Sequence, residues 1–269
     1  MKDPIEEQPV EQYLKLAVDA ARAAGKILIK TLGSVGRIEH KGAINLVTEM
    51  DVRSEELIKK KILKAYPEHQ IMAEESDMPE KSAEFRWIID PLDGTTNYAH
   101  GFPLFCVSIA LEISGTIEVG AVYDPTRSDL FTAVRGGGAF LNGKKLAVSE
   151  TTSVNNSLLA TGFPYDLRES EANNVDNWNA MLPRAQAVRR AGSAALDLCY
   201  TACGRFDGFW ELKLFPWDVA AGSLMVKEAG GEVTDMGGGP FSIYSKEILA
   251  SNGRIHREMV EILGKGRRP

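Results

Sequence analysis

The chain has 269 residues, with 31 basic and 37 acidic side chains and a net charge of −6. That length sets a prior of about two domains or one large α/β unit, and such a chain buries about three quarters of its unfolded surface without covalent staples. The acidic balance argues against a nucleic-acid partner, which a basic chain would favour. Three cysteines in apolar or helical surroundings imply no disulfide framework, so a reducing cytoplasm is the expected location. The segment Met1–Gln8 lacks an apolar signal core, and no run approaches the ~18 apolar residues of a membrane span.

Val10, Leu14, Ala17, Ala21, Ala24 and Leu28 form a helical stripe over residues 10–32, which Gly33 ends. Residues 35–48 alternate weakly and carry two glycines, which reads as a short ribbon or a loop. Thr48 and Asp51 have the capping-box spacing. A second helix follows to about Tyr66, with Leu57, Ile58, Ile62 and Leu63 facing inward, and Pro67 stops it. Ile71–Ala73 reads as a short strand with Glu74 and Glu75 at its end. Trp87, Ile88 and Ile89 read as a buried strand that stops at Asp90, because Pro91 cannot donate to a ladder. Asp93, Gly94, Thr95 and Thr96 supply turn and helix-start chemistry.

Phe105–Ile113, Thr116–Tyr123 and Leu130–Val134 read as antiparallel strands, and Asn142-Gly143 is a hairpin turn. A domain boundary is placed near 145–155, dividing an N-terminal α+β domain (1–148) from a C-terminal α/β domain (149–269). In the second half, strands at Leu158–Thr161, Gln186–Val188, Gly208–Glu211, Glu232–Thr234 and Leu249–Ala250 alternate with helices. Those helices fall near 173–183, 193–203, 217–230 and 254–263. The sum is a layered α/β chain.

The chemistry starts at Trp87–Asn97, W-I-I-D-P-L-D-G-T-T-N. Asp90 and Asp93 stand three positions apart at a strand end, where α/β folds collect ligands. Two charges about 4 Å apart repel by roughly 4 kcal/mol at an effective dielectric near 20. One must take a proton, or a cation must lie between them. A hard cation such as Mg2+ suits carboxylate and carbonyl oxygens. The N–H groups of Gly94 and Thr95 offer a seat for an anion. Metal beside phosphate is the arrangement for metal-assisted phosphoryl hydrolysis. Taken alone, the segment fits a capped turn with solvated aspartates equally well. Glu74 alone fits a solvated strand end, Asp51 a capping partner, and Asp218 a carboxylate favoured by a helix dipole.

Together, E-E-S (74–76), D-P-L-D-G-T-T-N (90–97) and W-D-V-A-A-G (217–222) resemble the inositol monophosphatase family of Mg2+-dependent, lithium-sensitive phosphatases. Trp87–Ile89 and Asn97–Gly101 extend the first signature, and Val226 and Glu228–Gly231 extend the second. The resemblance runs from the first helix to the last. It implies the αβαβα sandwich of the sugar-phosphatase superfamily and a homodimer. It also implies two or three Mg2+ ions: Glu74, Asp90 and the Leu92 carbonyl would hold the first, Asp90, Asp93 and Asp218 the second, and Glu74 would share a third. Thr95 and Glu74 would orient the attacking water, with Asp51 supporting Thr95. Asp93, Gly94, Thr95, Gly192, Ser193, Ala194, Glu211 and Asp218 would line the substrate, Glu211 as the acceptor from a sugar hydroxyl. The glycine-bearing segment Lys41–Leu46 would be a mobile flap. The implied reaction is hydrolysis of a small polyol phosphate, inositol 1-phosphate first. Alternatives are fructose 1,6-bisphosphate, alone or in a dual activity, and a regulatory role through protein or RNA.

Other motifs point elsewhere. Cys199 to Arg205 has the C-x5-R spacing of cysteine phosphatases, but Cys199 lies inside an apolar helical run, so Cys199 and Cys203 read as core fillers. Gly136–Gly138 lacks the G-x-G-x-x-G spacing and reads as a turn. His40, His69, His100 and His256 show no metal spacing, and His100 reads as a structural hydrogen-bonder. Trp87 and Trp217 read as packing residues, and Ser193 belongs to no triad.

Overall fold

The computed structural model describes residues 10–33, 38–40, 46–76 and 83–266, with backbone alone at 38–40, 46–48 and 265–266. The helix α1 (Val10–Thr31) ends at Gly33, whose φ of 77° suits a glycine. The strands β1 (Ile38–His40) and β2 (Leu46–Thr48) pair antiparallel, and α2 (Glu49–Ala65) follows directly. The flap expected at Lys41–Leu46 lies outside the described residues except for Leu46.

A seven-stranded sheet comes next. It holds β3 (Gln70–Ala73), β4 (Phe85–Asp93), β5 (Cys106–Ile113), β6 (Thr116–Asp124), β7 (Asp129–Val134), β8 (Gly138–Leu141) and β9 (Lys144–Lys145), in that spatial order. The short helix α3 (Thr95–Ala99) leaves the end of β4. Only the β3/β4 pair is parallel. The second half alternates as expected, with elements β10 (Leu158–Thr161), α4 (Val175–Met181), β11 (Ala187–Arg189), α5 (Ala194–Ala202), β12 (Gly208–Leu212), α6 (Pro216–Glu228), β13 (Glu232–Thr234), β14 (Glu247–Ser251) and α7 (His256–Gly266). Its five strands order as β11-β10-β12-β14-β13.

Strand alternation sorts the side chains into three cores. Trp87 and Ile89 of β4 face one way, onto Ala17, Ala21, Leu28, Ile58 and Ile62 of α1 and α2. Ile88 faces the other way, into a cluster with Leu198 of α5, Leu224 of α6, and Phe209 and Ile248 of the second sheet. Trp210, the neighbour of Phe209, turns outward to Met181 of α4 and to Met259 and Leu263 of α7. The layers therefore run helices, sheet, helices, sheet, helices, which is the αβαβα sandwich. The helix α6 is buried on nearly every side, as a helix between two sheets must be. It approaches β6 so closely that a Cβ at Gly120 would lie 3.2 Å from the Ala221 backbone.

Two details depart from the sequence expectations. Leu63 is 40 % exposed rather than inward; it follows Ile62 by one position, which puts it about a quarter turn off the buried stripe. And β4 does not stop at Asp90. It continues through Pro91 by a β-bulge: Asp90 pairs with Ser108 and Asp93 with Cys106, so two intervening residues oppose one. Pro91 sits in the bulge, where its missing N–H costs no ladder bond. Among the described residues no helix is long and apolar enough to cross a membrane.

His69 stacks between Tyr66 and Phe85 and accepts the Trp87 indole N–H at 3.1 Å on Nδ1. Burial lowers its pKa. Its neutral form thus contributes stability above the unfolded value of about 6.5, and that contribution is lost as pH falls through the lower folded value. An NMR titration of the His69 ring is expected to give a midpoint below 6.5; a midpoint at or above it contradicts the assignment. Gly120→Val is expected to push α6 off the sheet and destabilise the protein by about 1–3 kcal/mol, read as a lowered urea midpoint.

Candidate active site

A cleft of about 440 Å³ opens at the end of β4, between the first sheet and the segments before α5 and α6. That is within the usual range for a small-molecule site. Its walls bring together Glu74, Asp90, Leu92, Asp93, Gly94, Thr95, Gly192, Ser193, Ala194, Glu211 and Asp218, which are all the residues expected to line the site except Asp51. Asp51 lies directly behind Thr95.

The three aspartates are each aimed by a hydrogen bond to a carboxylate oxygen. Asp90 Oδ1 accepts the Leu92 N–H at 2.9 Å, the two-residue reach of an Asx turn. Asp93 Oδ2 accepts the Ser193 hydroxyl at 2.6 Å and the Ala195 N–H at 2.8 Å, at the start of α5. Asp218 Oδ2 accepts the Phe215 N–H at 2.7 Å, reaching back from the third position of α6. The capping role expected of Asp218 is thus real, and it coexists with a place in the cleft. Glu74 follows β3, and its N–H donates to Ile89 at 3.3 Å, tying it to β4.

Thr95 opens α3 behind Gly94, whose φ of 99° needs a glycine; a Cβ there would lie 3.0 Å from the Leu104 carbonyl. The Thr95 hydroxyl donates to Asp51 Oδ1 at 2.9 Å and lies 3.1 Å from the Leu92 carbonyl. Asp51 is 1 % exposed.

The electrostatics are those of uncompensated negative charge. Burial raises the Asp90 pKa well above the usual carboxylate range, and Glu74, Asp93 and Asp218 push it further. Burial raises Asp93 too, while hydrogen bonds from Ser193, Ala195, Ala194 and Cys106 pull it back. Asp218 is pushed up to about 7 by burial and then by Asp93. Glu211 rises to about 8, through burial first and Asp218 and Asp93 besides, with Arg190 opposing. Such a set is satisfied by protons or by cations. Its donors are all oxygen, which fits a hard divalent ion. Among the described residues no three His, Cys, Asp or Glu are gathered tightly enough to close on an ion as they stand; the carboxylates line the cleft walls instead.

Of the supports, the sequence expectations include Asp51 behind Thr95 and miss the others. The helix α2 presents a buried polar stripe at Asp51, Ser54 and Glu55. Ser54 donates to the Pro91 carbonyl at 2.8 Å in the bulge, and Glu55 accepts the Glu75 N–H at 2.8 Å and the Ser76 hydroxyl. Asn97 Nδ2 donates to the Leu104 and Ala191 carbonyls at 2.8 and 2.9 Å, tying α3 to the segment before α5. This is the structural hydrogen-bonder expected of His100. The His100 side chain is exposed, and its backbone N–H closes α3 on the Thr96 carbonyl. Asp197, Arg190 and Tyr165 also line the cleft and were not singled out. The spacing of Asp51, Ser54 and Glu55 on one helix face was the available signal for α2.

The decoy motifs resolve as expected. Cys199 is buried inside α5, burial raises its pKa well above the usual thiol range, and Arg205 pairs with Asp129 at 3.0 Å. The Gly136–Gly138 turn does hold an anion: the N–H groups of Gly136 and Gly138 donate to Glu228 at 2.8 and 2.9 Å. Trp87 and Trp217 are both buried.

Comparison with known proteins agrees with this geometry. Residues 9–266 match the family model for the inositol monophosphatase family. The chain is 44 % identical to the inositol-1-monophosphatase of Synechocystis sp., over 94 % of this chain and 89 % of that protein. It is 46 % identical to the Nus factor SuhB of Vibrio cholerae, over 90 % of this chain and 91 % of that protein. It superposes on the structure of inositol monophosphatase from Anabaena (Nostoc) sp. PCC 7120 with a TM-score of 0.88 and 43 % identity, covering 96 % and 97 % of the two chains. The chain belongs to the inositol monophosphatase family of phosphoric monoester hydrolases.

Proposed function

We propose that the chain hydrolyses a small polyol phosphate monoester, inositol 1-phosphate foremost, with Mg2+ as cofactor and water as nucleophile. The observation that carries this reading is the convergence of Glu74, Asp90, Asp93 and Asp218, from three distant segments, on one cleft beside Thr95. In this reading Glu74, Asp90 and the Leu92 carbonyl hold one ion, Asp90, Asp93 and Asp218 hold a second, and Glu74 shares a third. When bound, these ions supply Lewis acidity, lowering the pKa of water toward neutrality and stabilising the leaving alkoxide.

The chain's own groups do the positioning. Thr95 has one hydroxyl proton, and the Asp51 carboxyl oxygen lies closer to it than the Leu92 carbonyl, at 2.9 against 3.1 Å. The Thr95 oxygen is thereby left to accept from the attacking water, which Glu74 helps to orient as base. The Gly94 and Thr95 N–H groups hold the phosphate. Gly192, Ser193 and Ala194 form the wall against the polyol, and Glu211 accepts from a polyol hydroxyl, which an apolar alcohol could not supply. In the division at 148/149, the N-terminal part carries the metal-facing groups except Asp218, and the C-terminal part carries the polyol wall. Fructose 1,6-bisphosphate is the first alternative substrate. A regulatory role alongside catalysis is the second reading, favoured by the 46 % identity to a relative named a Nus factor.

The deciding experiment is a substrate panel in Mg2+ comparing inositol phosphates with fructose 1,6-bisphosphate. Release of phosphate from inositol 1-phosphate at the highest kcat/KM is the expected result, and no hydrolysis of any of them moves the reading to regulation. Asp93→Asn is expected to abolish turnover while circular dichroism stays native; a fully active variant contradicts the metal assignment. Because a ligand that binds only the folded state stabilises it, Mg2+ at 100 times its dissociation constant should add about 2.7 kcal/mol. Tm should rise with Mg2+ in the parent protein and stay flat in Asp90→Asn.

A further inference from the structure

Most buried polar side chains of the cleft are already partnered inside the protein. Thr95 gives its hydroxyl to Asp51 and Ser193 to Asp93. Asp90, Asp93 and Asp218 each accept from a local donor. Asp197 differs. It lines the cleft at 1 % exposure, and its Oδ1 is buried with no hydrogen-bond partner among the described residues. No ion pair engages its carboxyl among them either. A buried carboxyl in that state destabilises the chain that carries it. Its presence in a cleft wall points to a partner that arrives from the cleft.

The helix fixes where that carboxyl stands. Asp197 is the fourth residue of α5, and its N–H donates to the Ser193 carbonyl at 3.0 Å. It therefore lies one turn, about 5.4 Å, beyond Ser193 on the same helix face. Ser193 and the Ala195 N–H hold Asp93 at the start of α5. Asp197 thus continues the wall of Gly192, Ser193 and Ala194 away from the metal-facing aspartates.

The strand β12 packs on α5 and brings Glu211 to the same cleft. Gly162, at the end of β10, keeps the space against that side chain clear, because a Cβ there would overlap the Glu211 carboxylate. Burial, and after it Glu211, raises the Asp197 pKa well above the usual carboxylate range. Two carboxyls facing one part of a cleft repel an anion. They suit a neutral partner with hydroxyl protons to give. An alcohol with a single hydroxyl would leave one of them unpartnered, whereas a polyol can serve both.

We propose that Asp197 accepts a hydrogen bond from a hydroxyl of the substrate's alcohol part, beside the hydroxyl that Glu211 takes, so that the cleft selects polyols with neighbouring hydroxyl groups. The inference rests on the phosphatase reading above and adds a specificity-determining residue to it.

The test is Asp197→Ala, with kinetics in Mg2+ on inositol 1-phosphate and on phenyl phosphate, whose alcohol has no further hydroxyl. A hydrogen bond to a charged group corresponds to a factor of ~10–100. The ratio of kcat/KM for the inositol ester to that for phenyl phosphate is expected to fall by that factor. Tm without substrate is expected at or above that of the parent, since an unpartnered buried carboxyl has gone, and its rise with Mg2+ should persist. The isosteric Asp197→Asn keeps a weaker acceptor, so its ratio is expected between those of the parent and the alanine variant; it carries the test if the alanine chain does not fold. An unchanged ratio overturns the proposal, whether both rates hold or both fall together. A lost response of Tm to Mg2+ overturns it in favour of an ion at Asp197. If the parent protein hydrolyses neither ester, the phosphatase reading fails by itself. Calorimetric titration of inositol 1-phosphate in Mg2+ then decides Asp197: weaker affinity in the variant supports the contact, and equal affinity, or no binding to the parent, overturns it.

Discussion

The fold holds like charges together where water cannot screen them, and most of the site follows from that constraint. Asp90 is 1 % exposed and Asp93 8 %, and both titrate upward because burial and their neighbours oppose ionisation. A flexible loop would let such groups drift apart. Here Asp90 and Asp93 are held on β4 and Asp218 in the first turn of α6, and each accepts from a local donor: Leu92, Ser193 with Ala195, or Phe215. These donors hold the carboxylates in the walls of the cleft. That arrangement is costly unless something positive arrives, which is why the donor set suits divalent ions.

The bulge in β4 is what makes the arrangement possible. A continuous strand would send side chains at positions 90 and 93 to opposite faces of the sheet. One extra residue at Pro91-Leu92 breaks that alternation, so Asp90 and Asp93 both reach the cleft. The irregular backbone needs its own partner, and α2 supplies it through Ser54 on the Pro91 carbonyl. Proline in the motif is therefore better understood as the permission for a bulge than as the end of a strand.

This explains which parts of the molecule were legible in the sequence. Element order and the antiparallel run β5 to β7 follow from hydrophobic period and turn chemistry, and β10 and β13 match residue for residue; the five-layer architecture came from the family resemblance. The acidic residues of the cleft were legible too, because three short motifs fix them. What was not legible is what supports them. Ser54 and Glu55 continue the stripe of Ile58 and Ile62 toward the start of α2, but polar side chains there give no hydrophobic signal, and only the packing of α2 on β4 shows that the face is buried. Asn97 reads as one more polar residue in a motif, yet it bridges segments 94 positions apart. Long-range polar partners leave no period in the sequence, so pattern reasoning passes over them. His100 is the mirror case: it stands beside the motif, yet its side chain is exposed to solvent.

The same inventory bears on which atom attacks phosphorus. Four serine, threonine or cysteine side chains in or beside the cleft are conceivable nucleophiles, and the hydroxyl of Ser76 is committed to Glu55. The Ser193 hydroxyl is committed as donor to Asp93 and as cap of α5, accepting the Leu196 N–H at 3.3 Å. The Thr95 hydroxyl is committed to Asp51. The Cys106 thiol is 0 % exposed, and burial, then Asp93, raises its pKa well above the usual thiol range, so the thiolate that displacement needs is suppressed. Ser193 and Cys106 donate to Asp93, and Thr95 to Asp51, carboxylates that the proposed reading assigns to holding an ion or to orienting Thr95 rather than to activating a nucleophile. In the proposed reaction this leaves water, guided by the Thr95 oxygen in a cleft walled by carboxylates, as the nucleophile.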